Sequence, residues 1–443
     1  MTKPKKNKTL LIIYPHWHPA NLAGVQRPRL IGNYLSELGW QPRVLTVDEK
    51  YFEEIPDPDF YNAFSPDFVV TRVAAFPIIK PRLIGDIGLR AFWQLYKGAL
   101  KIIREEHIHF IWLPIPSFYN ALLGRLLYEK TKINYGIDYI DPWIRDITNQ
   151  RNLRAVLSQW LAKILEPIAL KKVSLISGVD TAYYRPALQR NFLNFFDKNG
   201  KLKAESTNPY TLTKMAHLGM PYGFDPNDHK LTIRDAIPPW GKEINRKIWL
   251  YAGAFLPNSH LFLQAFFKAV ANLRKQGNWD EDIKLWFIGT GSYPSKRIIT
   301  YAEDFGLRDI VEERRERLPY LHVLNWLSRA DTVLIFGSTE PHYTASKTFQ
   351  ALLSQRPLLT CFHLQSSALN ILDSCNASQF SVRYTPENNT LELESNFKRV
   401  ILQRFAKTKW QPNLIPLKQY SAEYSAKKLI SRIEQINPKE TII

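Results

Sequence analysis

Residues 343–359 read YTASKTFQALLSQRPLL. Phe349, Leu352 and Leu353 share one face of a helix that starts at Thr344 or Ala345. Arg356-Pro357 ends it, and LLTCF opens a buried strand. Ser346 and Lys347 then lie in the first turn. Thr344 or Ser346 can cap such a helix unaided. A lysine there opposes the helix dipole by about 0.3–1 kcal/mol. An anion such as a phosphate at the helix mouth accounts for both features.

Three other constellations bear chemistry. YAGAF (251–255) and IGTGS (288–292) are strand-end glycine turns, where Gly253, Gly289 and Gly291 let backbone amides face a diphosphate or sugar. LAGVQRPR (22–29) joins a first strand to a first helix. Gly24 permits close backbone approach there, and Arg27 and Arg29 are suited to phosphate. The competing reading is an ordinary turn with solvated arginines. DYIDPW (138–143) follows an interior-type strand, and Pro142 keeps the backbone extended. Asp138 and Asp141 are thereby expected at the carboxyl edge of a sheet, able to bind or deprotonate a hydroxyl. Either can instead cap a turn; Asp141 is the favoured catalytic residue. The acidic runs DPD (57–59) and DED (280–282) read as solvated clusters and not as a metal site.

The elements that must position these residues alternate. Strands are expected at 9–14, 43–47, 68–73, 110–115, 133–143 and 173–178, with helices at 29–39, 89–106, 118–130 and 157–172. A stretch richer in Lys, Asn, Asp and Pro (195–245) reads as a hinge. Strands at 247–255, 283–292 and 331–338 follow, with helices at 261–277, 318–330 and 417–436. This predicts two parallel, doubly wound halves. The helical stretch 152–172 carries Trp160, Arg154, Lys163, Lys171 and Lys172. It suits either an acidic lipid surface or an ordinary crossover, and Glu166, interrupting the basic face, favours the crossover.

The chain has 443 residues, 45% of them hydrophobic, more than one ordinary core needs. A net charge of +18 favours an anionic partner. No nucleic-acid-binding motif accompanies it, so nucleic acid is not the expected partner. Cys361 and Cys375 form neither a disulfide framework nor a metal pattern. The N-terminal lysines precede an apolar run too short for a secretory signal, and no 18-residue apolar stretch exists. A cytoplasmic protein is expected, peripheral on the inner membrane face if it meets lipid.

In this order and spacing, PHWHPANLAGVQRPRLIGNYLSELGWQPRVLT, DYIDPW, YAGAF, FIGTGS and RADTVLIFGSTEPHYTASKTFQALLSQRPLL resemble the retaining family 4 type of glycosyltransferase. The resemblance spans nearly the whole chain. It implies an α/β GT-B fold, with two Rossmann-like doubly wound domains facing a central cleft. Residues 1–228 would form the acceptor domain, completed by the closing helix 417–443, and 229–416 the donor domain. It further implies a nucleoside diphosphate sugar as substrate, with no cofactor and no metal. The acceptor would be a glycan or lipid-linked, and an acidic membrane surface a further partner. Donor contacts would come from Gly253, Gly289, Gly291, Ser292, His342, Tyr343, Thr344, Ser346, Lys347 and Gln350. Acceptor contacts would come from His16, Gly24 and Arg27, and catalysis would involve Asp141, Asp138 and Lys347. The family's two glutamates, eight positions apart, are replaced by His342 and Gln350, and its basic residues after the first glycine turn by LPNSH with His260 alone. These departures keep a non-catalytic binding or scaffold protein as the alternative.

Overall fold

The computed structural model describes residues 8–78, 85–144, 153–203, 215–241, 246–291, 296–340, 347–406 and 409–437. Ser292, His342, Tyr343, Thr344 and Ser346 lie outside the described residues. The chain forms two compact units, residues 1–225 with 420–443, and residues 226–419.

The first unit contains β1 (Lys8–Ile13), α1 (Ala23–Asn33), β2 (Trp40–Val47), β3 (Val69–Val73), α2 (Ile87–Arg90) and α3 (Phe92–Glu105). Then come β4 (Phe110–Ile115), α4 (Ala121–Thr131), β5 (Tyr135–Tyr139), α5 (Leu153–Leu170), β6 (Leu175–Gly178), α6 (Thr181–Asn191) and β7 (Ala216–Gly219). The strands are parallel, in the order β3-β2-β1-β4-β5-β6-β7. Leu11 and Ile13, Ile111 and Leu113, and Ile137 and Tyr139 alternate along β1, β4 and β5 into one core, as the period of two requires. Each such fully buried side chain contributes about 1.5–3 kcal/mol.

The second unit contains β8 (Lys247–Ala252), α7 (His260–Lys275), β9 (Ile283–Ile288), α8 (Ile298–Asp304), β10 (Val311–Arg314) and α9 (Tyr320–Leu327). It continues with β11 (Thr332–Phe336), α10 (Lys347–Leu353), β12 (Leu358–His363), α11 (Ser367–Ser374), β13 (Ser381–Tyr384) and α12 (Thr390–Ala406). Its parallel sheet runs β10-β9-β8-β11-β12-β13 around an aromatic core that includes Tyr251, Phe266, Phe287, Phe336 and Phe397. The closing helix α13 (Ala422–Ile436) returns to the first unit and packs on α1 and β7. Ser421 caps it by accepting from the Tyr424 amide, and Gly223 (φ +94°) allows the chain to pass close to Ala422.

The first helix departs from the sequence expectation. It occupies Ala23–Asn33 instead of 29–39. Its early turns bury Gln26, Arg27 and Arg29, polar residues that apolar periodicity does not count. The polar stretch read as a hinge contributes an ordered strand, β7.

Candidate functional site

In each sheet the strand order reverses direction next to its first strand, between β1 and β4 and between β8 and β11. Ligands of open parallel sheets bind outside the carboxyl ends of strands at such points. In the second unit, Gly253 ends β8 with φ +117°, and Gly289 and Gly291 follow β9 with φ +65° and +89°. Side chains are strained at these angles, so glycine is required. The turns are stitched together. The Gly253 amide donates to the Ile288 carbonyl (2.9 Å), Phe255 to Thr290 (3.0 Å) and Gly291 to Arg315 (3.0 Å). The expectation that these amides face a diphosphate therefore fails for Gly253 and Gly291, whose N–H groups are used internally. What these glycines supply is room: among the described residues nothing lies within 4 Å of where a Gly291 side chain would begin.

Lys347 occupies the edge of that room. The described part of α10 begins with it. Its side chain runs back over the β8 turn, as helical side chains lean toward the N-terminus. The Nζ donates to the Tyr251 hydroxyl and to the Ala254 carbonyl (3.2 Å), and it sits 4.2 Å above the Tyr251 ring centroid. A side chain at Gly253 would begin 3.9 Å from it. Burial brings the ammonium pKa down to about 7. Among the described residues no carboxylate pairs with it. A partly desolvated cation whose described neighbours are dipoles and a π face is costly, and a bound anion relieves that cost.

One helical turn on, Gln350 is held from both ends. Its Oε1 accepts from His229 Nε2 (2.6 Å), and its Nε2 donates to the Tyr320 hydroxyl (3.3 Å), which donates to Asp228 (2.9 Å). Because an amide oxygen only accepts, His229 carries its proton on Nε2. Burial lowers the His229 pKa and keeps the ring neutral. The side-chain oxygen of this expected donor contact is thus partly committed inside the unit. Glu340 is likewise engaged, accepting from Asn258 Nδ2 (2.9 Å).

Beside the glycine turns lies a small open pocket lined by Phe255, His260, Thr290, Gly291 and Arg315. Arg315 donates from Nε to the Gly291 carbonyl (2.8 Å), and Lys296 and Arg297 stand at the same cavity. Buried Glu313 accepts from the Thr290 hydroxyl (3.0 Å) and the Ile299 amide (3.2 Å). Burial lowers the His260 pKa, so this imidazole adds no positive charge at neutral pH. Arg315 is the cation that sequence reading missed, since one of the three arginines in RRERLP has no diagnostic spacing.

In the first unit, four expectations change. Asp138 is on β5 and fully buried, and its carboxylate accepts from Arg27 Nε (2.9 Å), Arg27 Nη2 (3.2 Å) and the Ser177 hydroxyl (2.5 Å). It is not on an open edge and is removed as a catalytic candidate. Arg27 is equally buried and also donates to the Met220 and Pro221 carbonyls, so it ties α1 to the sheet instead of meeting an acceptor. Gly24 is needed for packing and not for ligand approach. A methyl group there would begin 1.8 Å from the Tyr14 hydroxyl oxygen. Arg29 is buried too, bonded to Gln26 and the Ala63 carbonyl (2.8 Å). The remaining candidates are partly exposed. Asp141 lies two residues beyond β5, and His16 lies beyond β1, where its Nε2 is 3.5 Å from Glu54 and holds that carboxyl well below the usual range.

The acidic runs also resolve. Asp57 is buried and accepts from Asn21 (2.8 Å), contrary to the solvated reading. Asp280 pairs with Lys247 and Glu281 with Arg274. Among the described residues no three metal-ligating side chains converge.

Two parallel doubly wound α/β units with this strand order are the GT-B fold. Solved structures spanning the chain carry it at low identity. HepE from Anabaena, in complex with UDP and glucose, has TM-score 0.59 and 14% identity over 97% of this chain and 100% of its own. The Escherichia coli trehalose-6-phosphate protein bound with UDP-2-fluoro glucose has TM-score 0.58 and 12% identity over 97% and 99%. A glycosyltransferase from Rickettsia africae has TM-score 0.56 and 13% identity over 98% and 100%. No protein-family model and no curated protein matches the chain.

Proposed function

We propose that this chain is a retaining glycosyltransferase, moving a sugar from a nucleoside diphosphate sugar to a glycan or lipid-linked acceptor. The observation that carries the reading is Lys347, a half-buried ammonium with no carboxylate partner among the described residues, standing over the glycine turns at the second unit's switch point. The UDP and UDP-2-fluoro glucose bound by the similar structures supply the ligand class.

In the reaction, the bond from the sugar's anomeric carbon to the diphosphate breaks and one to the acceptor oxygen forms, while the acceptor hydroxyl loses its proton. Charge develops on the leaving diphosphate, and a cation already positioned there stabilises it most in the transition state. Lys347 has that role, with Arg315 as a second cation; no metal is required by this scheme. Asp141 is assigned to the acceptor hydroxyl, as a hydrogen-bond acceptor or base. Asp141→Asn is expected to keep the melting temperature within a few degrees and to lower transfer greatly, measured as product formed per enzyme. Full activity in that variant would shift the assignment to His16.

Gln350 favours a second reading, a non-catalytic binding protein, because it lacks the glutamate's charge and is held by His229. A thermal-shift panel of nucleoside diphosphates and their sugars tests the proposal. A ligand at 100 times its Kd stabilises by about 2.7 kcal/mol. No shift with any nucleotide would refute the donor site, whereas a shift without turnover would support the binding protein.

A further inference from the structure

Helix α5 has two apolar faces. Ala162, Ala169 and Leu170 are buried in the core of the first unit, with Leu165 packed against it. On the other side Val156, Leu157, Trp160, Ile164 and Ile168 are 55%, 56%, 57%, 43% and 47% exposed. At helical spacing these five lie within about 120° of the circumference, the width of a full apolar stripe. Lys163 is exposed along this face, and Lys171 and Lys172 are exposed just beyond the helix's C-terminal end. Glu166 is the only acidic residue in α5, and it does not interrupt the outer face. It is buried on the inner side, bonded by Arg190 (2.8 Å) and Tyr139 (3.3 Å). The outer face is therefore apolar and cationic only.

We infer that this face docks the protein on an anionic phospholipid bilayer, with α5 lying in the plane of the interface. Charge decides the occupant. A twofold contact across this face would bring the lysines of one copy near those of the other, whereas lipid phosphates complement them. Trp160 suits the same boundary, with an apolar ring and one N–H donor. Long lysine stems let the ammonium reach headgroups while the stem stays on apolar surface. Among the described residues no helix is long and apolar enough to cross a membrane, so contact is lateral. The inference concerns the first unit alone and does not depend on the donor reading.

Sedimentation with vesicles tests it, using phosphatidylcholine with about 30% phosphatidylglycerol and phosphatidylcholine alone. The wild-type protein is expected to pellet with the anionic vesicles and to be released by salt, because exposed-charge attraction is screened. Trp160→Ser/Ile164→Ser should weaken partitioning by about tenfold or more, through lost apolar insertion. Lys163→Glu/Lys171→Glu should weaken it by at least about fivefold per residue. Both pairs are exposed, so unchanged thermal melting is expected and serves as the folding control; should one pair fail to fold, the other decides. Equal pelleting with both vesicle types, wild-type partitioning by the folded variants, or no pelleting at low salt would overturn the inference. So would a dimer that the Trp160→Ser/Ile164→Ser variant dissociates while its vesicle binding is unchanged.

Discussion

Lys347→Met is expected to weaken nucleoside diphosphate binding by about ten- to a hundredfold, the loss of one charge-assisted contact worth about 1.5–3 kcal/mol. Methionine keeps an apolar stem over the Tyr251 ring and removes only the ammonium. The ligand-free protein should become more stable. Burial puts the folded pKa at about 7 against an ordinary 10.5, so between those values the unfolded chain binds more protons. The lysine's penalty on folding is thus full below about pH 7, and it fades as pH rises toward 10.5. The gain in melting temperature from Lys347→Met should shrink over the same range. Binding runs the other way. The diphosphate meets a charged Lys347 below about pH 7, and above it must bring a proton in. Wild-type affinity should therefore fall as pH rises through 7, by at most about tenfold per unit, and the variant should show a flatter profile. Calorimetric titration at several pH values measures both. Unchanged affinity with an unchanged profile would make Lys347 a packing residue.

Arg27→Leu and Asp138→Asn are each expected to cost the first unit about 3–5 kcal/mol, because removing one partner leaves the other charge or its hydrogen bonds uncompensated in the interior. Both side chains have no solvent exposure, and Arg27 binds two further carbonyls besides. Replacing both by leucine should recover part of the loss. Denaturant unfolding followed by fluorescence would show the shift in the first unit's transition. A variant at Asp138 with normal stability and no transfer would restore it as a catalytic residue.

The contrast between these two sites explains what was legible in the sequence. The Lys347 signal is local: a lysine in a helix's first turn conflicts with the dipole, and that conflict is visible within four residues. The Arg27–Asp138 pair joins positions 111 apart and His229–Gln350 positions 121 apart, so neither leaves a local trace. Gly24 fits both a ligand loop and a tight packing contact, and only the position of Tyr14 distinguishes them. The fold divides similarly. TLLIIY and FIWLPI come from interior parallel strands buried on both faces, hence continuous apolar runs. The strands not anticipated, β7 (AHLG), β10 (VEER) and β13 (SVRY), all lie at sheet edges. One flank of an edge strand is unpaired, and short polar sequences are favoured there. Glu166 shows the remaining gap. A charge in a helical pattern reads as a surface residue, but its partner Arg190 lies on the next helix, and together they place it inside.

The most direct test is consumption of a donor. The protein would be incubated with a panel of nucleoside diphosphate sugars without acceptor, and free nucleoside diphosphate and sugar would be followed by magnetic resonance. The account predicts slow release from at least one donor, abolished or strongly reduced in Lys347→Met while that variant stays folded. Absence of release from every donor, together with no binding of any nucleoside diphosphate, would contradict it.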